Sequence, residues 1–417
     1  MAYVPPHKRQ SNHKDKLLPL PELPPLPPPH TRFNSRSDSQ KKANNKKVIY
    51  AYHAQSKWFF AGLHQHDFSS LVKLHPVSLE FVHHKYTENP HILLYTHTHL
   101  PQTQVGSQER KPWEVAAEKT LQNLIQSFEY LRDEMEVQDL EQLQVKPNLV
   151  ARLGRVILHG APSAAQEEII QSLAAETIPR PLKRIFYTDI PTSYVDKMMK
   201  GDAIKLGLDF TEEKDVFRVQ LSDANRPDST ISCKCSIMKE LNKLKLYKIE
   251  LNQVRQMVSD FSCLTKNIDL RLMLCSKRML TVLKDDEMEG IRSLIEAAVI
   301  DPNVKGGLRW PLGKSSGDRY SVCGVWHTVI KVYANSSIKL KVRNVDRFCF
   351  RSLMGDSASE VYLNLKGIIS LLQEQKDTGL ISKELEDNLK LIWDHFLDCE
   401  KDDANGIFLL GEKDVTK

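Results

Sequence analysis

The first 47 residues set the firmest limit on what this chain can fold into, because they cannot join a packed core. They open Met1-Ala2-Tyr3-Val4-Pro5-Pro6-His7-Lys8-Arg9 and run on through Leu17-Leu18-Pro19-Leu20-Pro21-Glu22-Leu23-Pro24-Pro25-Leu26-Pro27-Pro28-Pro29 to Lys41-Lys42 and Lys46-Lys47. Each proline fixes φ and removes a backbone donor, so neither a helix nor a central strand can run through the segment. Its apolar residues are too few to offset the entropy of ordering it. An extended, solvated, disordered arm is expected over residues 1–47, with order starting at Val48.

Charge follows the same division. The arm holds ten Lys/Arg against Asp15, Glu22 and Asp38, a local +7 in a chain of net charge +5, so the remainder is slightly acidic. Basic arms suit nucleic acid or acidic partners. Pro24-Pro25-Leu26-Pro27 lies in a run that favours polyproline II, a pre-extended form that loses little entropy on docking against an aromatic groove. A WW-type partner fits this string, and Leu23 through Pro27 also fits the looser pattern of EVH1-type domains.

The remaining length, in a chain that is 41% hydrophobic, is enough for one large or two modest domains. Seven widely spaced cysteines and no 18-residue apolar run point to a reduced, soluble protein without a spanning helix, cytoplasmic or nuclear. The first apolar cluster, Leu17–Leu20, is broken by proline and does not read as a signal segment.

Period-two patterns predict strands at 57–63, 77–82, 92–95, 153–158, 216–221, 230–237, 246–251, 268–274, 279–283, 320–332, 338–342 and 348–350. The pair 216–221 and 230–237 reads as a hairpin with a long loop through Asp223–Asp228. Helical spacing predicts a long helix from Pro112 with Leu121, Leu124, Ile125, Phe128, Leu131 and Met135 inward. Shorter helices are predicted at 164–175 and 285–299. Two more close the body, the last with Ser382 as N-cap and Leu385, Leu389, Ile392, Trp393 and Phe396 on one face. The fold class is therefore α+β, with mixed or antiparallel sheets and flanking helices. The body spans 48–398, with 48–200 and 205–398 as two candidate lobes, and 399–417 form a charged flexible tail.

Chemical motifs in the body are weak. His64-x-His66 and His97-x-His99 have a ligand-like spacing but no acidic or cysteine partner at matching distance, so no metal site is assigned. Cys233 and Cys235 read as buried apolar cysteines. Gly307 through Ser315 superficially resembles a phosphate loop, yet five residues separate its glycines and a strand follows, so it reads as a basic connecting loop. Cys323 and His327 do not align for nucleophilic catalysis. Glu250, Asp269 and Asp346 stand beside strand lysines and arginines, a mixture that any solvated sheet face also shows. Arg343, Arg347 and Arg351 with Phe348 form a basic-aromatic set that could contact RNA by stacking and phosphate pairing.

The opening Ala2-Tyr3-Val4-Pro5-Pro6-His7-Lys8-Arg9 resembles the start of a plant family of uncharacterised proteins, a domain of unknown function. Lys57-Trp58-Phe59, Gly324-Val325-Trp326-His327-Thr328, Leu340-Lys341-Val342-Arg343 and Asp346-Arg347-Phe348 are similar to that family too. The resemblance covers nearly the whole chain and brings no catalytic residue. A related Tyr-x-Pro-Pro-His-x-Arg string is found in tails of DEAD-box RNA helicases and other messenger-RNA-associated proteins. The expected function is a non-enzymatic RNA-associated or ribonucleoprotein interaction protein acting through its arm. Tyr3, Pro5, Pro6 and His7 would supply packing or stacking, and Lys8 and Arg9 would meet phosphate or acidic groups. Pro24, Pro25, Leu26 and Pro27 would take a domain partner. No cofactor, catalytic residue or metal ligand is assigned. The alternative is a phosphoester- or nucleotide-processing enzyme with its site in the α+β body.

Overall fold

Strand alternation runs further along this chain than short apolar stretches suggest, and it ends in a closed ring. The structure is a computed structural model that describes residues 55–77, 90–96, 110–138, 143–160, 166–180, 182–201, 203, 206–238, 240–251, 253–280 and 283–398. All of them belong to one compact unit, residues 49–417. The arm and the tail lie outside the described residues.

In chain order the elements are β1 (Gln55–Ala61), α1 (Gln65–Leu71), β2 (Val72–Pro76), β3 (His91–Tyr95), α2 (Pro112–Gln138), β4 (Leu143–His159), α3 (Gln166–Ala174), β5 (Lys183–Tyr187) and α4 (Thr192–Lys200). There follow β6 (Asp209–Asp223), β7 (Arg226–Met238), β8 (Lys243–Leu251), β9 (Val254–Cys263), β10 (Asp269–Leu280) and α5 (Asp285–Glu296). The last are β11 (Val299–Ile300), β12 (Leu308–Arg309), β13 (Tyr320–Ala334), β14 (Ile338–Cys349), β15 (Met354–Leu365), α6 (Lys366–Gln373) and α7 (Thr378–His395). The class is α+β.

Eight strands pair in the cyclic order β4-β10-β8-β7-β6-β13-β14-β15 and back to β4, every pair antiparallel. Closure removes the unpaired edges of an open sheet. Outside the ring, β9 pairs with β10 and carries β1 in parallel, while β3, β2 and β5 extend from β4.

One residue in two on each ring strand points outward into an apolar layer. Leu149, Leu153, Leu272, Leu340 and Leu363 pack beneath α2, α4, α6 and α7. On the opposite side Val219, Cys233, Ile249 and Val325 pack with Ile291, Leu294 and Ile295 of α5. Each fully buried aliphatic contributes about 1.5–3 kcal/mol. A third cluster lies under the sheet extension, where Trp58, Phe68, Val156, Leu158 and Leu173 meet. Arg319 pins α5 to the ring: its Nε and Nη2 donate to Asp223 at 2.9 Å each, and Nη1 donates to Glu287 at 2.6 Å. Where β5 crosses β4 there is no space for a side chain, since a Cβ on Gly154 would sit 2.2 Å from the Tyr187 carbonyl oxygen.

Several expectations need correction. The segment before residue 77 is itself a strand, β2, and most of 77–82 lies outside the described residues. The β6–β7 hairpin turns tightly, with Asp223 paired to Arg226, because both strands run past their apolar stretches into polar ends. The expected strands at 268–274 and 279–283 are joined in β10. Strands β9 and β15 were not anticipated. The last helix is capped by Asp377, whose Oδ2 accepts the Gly379 N–H at 2.8 Å, and Ser382 lies in its second turn.

Candidate functional site

The inward residues of the ring are charged, so the barrel is apolar outside and ionic inside. Alternation that buries Ala151 and Leu153 of β4 outward turns Arg152 in. The same rule brings in Arg218 of β6, Lys234 of β7, Lys248 and Glu250 of β8, Lys277 of β10, Lys341 and Arg343 of β14, and Glu360 and Tyr362 of β15. These seven cations are joined by Arg347 of β14, which meets Glu360, and Glu212 and Lys339 follow on the same faces of β6 and β14. An eight-stranded barrel has room inside for side chains or one small ligand.

Glu250 and Glu360 are both held by cations. Lys234 Nζ and Lys248 Nζ each lie 2.8 Å from Glu250 Oε1. Arg347 donates to Glu360 Oε1, Arg343 Nη1 is 3.5 Å from Oε2, and Thr188 Oγ1 donates to Oε1 at 3.2 Å. Aromatic rings support other cations without neutralising them. Arg343, Lys341 and Arg152 stand 5.1, 5.7 and 5.9 Å from the centre of the Tyr362 ring, and Arg218 is 5.1 Å from that of Trp326.

Arg152, Arg218, Lys277 and Lys341 have no carboxylate within ion-pair distance among the described residues. The buried Arg152 Nε, Arg343 Nε and Ser232 Oγ meet no protein hydrogen-bond partner. Desolvation holds the Arg152 and Arg218 guanidinium groups below their usual range, and the nearby Arg343 adds to the shift in both. Burial brings Lys234 down to about 8, helped by Arg218, and Lys341 down to about 8, helped by Lys339 and Arg343. Lys277 is lowered by the same desolvation. Desolvation would raise Glu250, but Lys234 and Lys248 overcome it and hold the carboxyl at about 2. Excess positive charge gathered in a partly desolvated space is unfavourable, and an anion relieves it.

The residues singled out by sequence separate. Arg343 and Arg347 meet at Glu360. Phe348 points to the other face of β14, edge-on to Phe350 at 5.0 Å, and Phe350 meets Trp310 at 5.9 Å. Arg351 is exposed in the following turn. The basic-aromatic set is therefore not one patch. Tyr3, Pro5, Pro6, His7, Lys8, Arg9, Pro24, Pro25, Leu26 and Pro27 lie outside the described residues. The three carboxylates also part: Glu250 is in the lumen, Asp269 is buried with Arg155 (3.3 Å) and the Val156 and Cys263 N–H groups, and Asp346 accepts the Gly306 N–H on the outer face. A shallow cavity of about 370 Å³ lies there too, lined by His327, Asn344, Asp346, Ser357 and Ser359, with Asp189 at its edge. Among the described residues no three His, Cys, Asp or Glu side chains converge as a metal-holding group. Sequence reasoning missed Arg152, Arg218, Lys234, Lys277 and Lys341, whose only signal was a charged residue at every second position of apolar strands.

Residues 42–396 match the family described as "Domain of unknown function (DUF7903)". The chain belongs to this family. No curated protein sequence matches the chain. Among solved structures it is similar to the Schizosaccharomyces pombe Pct1 RNA triphosphatase in complex with the Spt5 CTD, at 12% identity and TM-score 0.40, covering 71% of this chain and 96% of that one. It is similar to the RNA triphosphatase domain of a mimivirus mRNA capping enzyme at 8% identity and TM-score 0.26, covering 60% and 96%. The PH1012 protein of Pyrococcus horikoshii is similar at 9% identity and TM-score 0.24, covering 52% and 90%.

Proposed function

We propose that this DUF7903 protein binds a phosphate-rich anion inside its barrel, through a linear run of phosphates such as a nucleoside triphosphate or a triphosphorylated RNA end carries. One observation carries the reading: four half-buried cations from four different strands, Arg152, Arg218, Lys277 and Lys341, converge with no carboxylate within ion-pair distance among the described residues. A single carboxylate or phosphate could neutralise only part of that charge, whereas a short polyphosphate places several negative groups in a barrel-sized volume. Arginine adds planar donor pairs that fit phosphate oxygens. The reading rests on the lumen and takes nothing from the remote structural likenesses.

Calorimetry with inorganic tripolyphosphate tests it. Affinity is expected to rise from phosphate through pyrophosphate to tripolyphosphate and to fall with salt. No heat and no thermal shift at millimolar tripolyphosphate would remove the proposal. Lys234 and Lys341 fix the pH dependence. With free-state values of about 8, both lose their protons as pH rises through 8, while a bound anion favours the charged form. Binding near pH 8 therefore takes up protons. Affinity should drop between pH 7 and 9, by at most about tenfold per unit for each lysine.

The arm is proposed to act separately, as a contact for RNA phosphates through its ten Lys/Arg, with the proline string free for a WW- or EVH1-type domain. Deleting residues 1–47 should flatten the salt dependence of RNA binding by several counterions while leaving tripolyphosphate binding unchanged. An unchanged salt slope would exclude the arm as the RNA contact.

A further inference from the structure

Glu250 and Glu360 occupy four further cations that a lumen anion could use, Lys234, Lys248, Arg343 and Arg347. Each is at least nine-tenths buried, and each is gripped by two cations from its own or adjoining strands. Both lysines converge on one oxygen of Glu250 at 2.8 Å. Glu360 divides its two oxygens between Arg347 and Arg343 and takes a third donor from Thr188. A carboxylate held this way does for the empty barrel what a phosphate would do for the filled one: it satisfies donors and cancels charge in a low-dielectric space. It also has to let go before phosphate oxygens can take both cations.

We infer that Glu250 and Glu360 are built-in competitors of the lumen anion, each lowering its affinity by holding a cation pair in the empty state. The inference rests on the lumen-binding reading. Within the barrel it distinguishes two classes of cation. Arg152, Arg218, Lys277 and Lys341 are open to an anion at once. Lys234 with Lys248, and Arg343 with Arg347, become available only when a carboxylate is displaced. A short anion can satisfy the first class alone, while a longer one gains the second class at the expense of two ion pairs. The carboxylates therefore set how many phosphates are worth binding. The opposite role, a carboxylate that bridges to the anion through a divalent cation, needs an oxygen free of lysine and arginine: Glu360 has none, while both lysines of Glu250 sit on Oε1, and titration in Mg²⁺ decides its role.

Three full-length proteins separate these roles: wild type, Glu250→Gln and Glu360→Gln, each titrated with inorganic tripolyphosphate in chelator and again in excess Mg²⁺. Both amides keep the shape of the side chain and remove its charge. Each variant is expected to bind about tenfold more tightly than wild type with chelator present, the low end of measured couplings between close charges. The ligand-free melting temperature should fall in each variant, since an internal counter-ion is lost, and the rise on adding tripolyphosphate should exceed that of wild type. If Glu360→Gln does not fold, Glu250→Gln decides, because Lys234 can shed its proton to relieve the loss. Weaker binding by a variant than by wild type, or binding that appears only with Mg²⁺, would overturn the competitor role for that carboxylate and leave the lumen reading standing. No uptake by any of the three would overturn the lumen reading itself.

Discussion

Arg218→Met is expected to weaken tripolyphosphate binding about a hundredfold while making the ligand-free protein more stable. Arg218 is half-buried against Trp326 with no carboxylate within ion-pair distance among the described residues, and desolvation with Arg343 nearby pulls its pKa below the usual range. In the empty barrel the Trp326 ring and the more distant Glu250 only partly offset the desolvation of its charge. Truncating one partner of a buried charge contact removes about 2–5 kcal/mol of binding, and a hundredfold lies inside that span. Exchanging a poorly compensated buried ion for an apolar side chain of similar volume commonly gains about 1–4 kcal/mol of stability. In a chain of 417 residues each kcal/mol moves the melting temperature by about 1–2 °C. Calorimetry and thermal melting of the same preparation check both halves. Loss of binding together with loss of stability would mean that Arg218 braces the wall and does not serve a ligand.

Asp260→Ala is expected to have the largest effect on folding, about 3–5 kcal/mol, the range for removing one partner of a buried ion pair. Asp260 on β9 is fully buried, accepts Arg271 Nε and Nη2 at 2.5 and 2.8 Å, and takes Arg184 Nε of β5 at 2.8 Å. Arg184 also donates to Ser56 on β1 at 2.6 Å, and Arg271 stacks over Phe186 at 4.7 Å. One carboxylate therefore fastens four strands, and its loss leaves two cations stranded. Urea unfolding should show a large drop in midpoint with an unchanged slope. A shift equivalent to less than about 1 kcal/mol would contradict the account. The contrast with the lumen is informative: here two arginines share one carboxylate at ion-pair distance, whereas Arg152 and Arg218 have none there among the described residues.

How much of this was legible in the sequence depended on which face the charges occupied. The long helix from Pro112 and the body of the last helix were readable because one apolar stripe faces the core and water takes the rest. Arg218, Lys234 and Lys341 alternate with apolar neighbours as in any half-solvated sheet, and sequence spacing does not tell an outer wet face from an enclosed one. Only pairing of β4 with β10 and β15 decides between them. Strand β9 escaped notice because Ser259, Asp260 and Ser262 interrupt its apolar pattern, and the partners Trp58 of Ser262 and Arg184 of Asp260 lie on distant strands. Strand β15 begins Met354-Gly355-Asp356-Ser357, which reads as a loop and becomes strand only by lying along β14.

Closure of the ring has a consequence for how the protein is made. Ala151 on β4 pairs with Leu272 on one side and Leu363 on the other, partners over one hundred and over two hundred residues away in sequence. Chain topology of that kind makes folding slow, because loop entropy is lost before distant strands reward it. Arg152 of β4, Lys277 of β10 and Glu360 of β15 face one another only once the ring has closed, so a polyphosphate has little to grip in an unfinished chain. Such a ligand would prolong the lifetime of the finished barrel by slowing its opening, with little effect on the rate at which it forms.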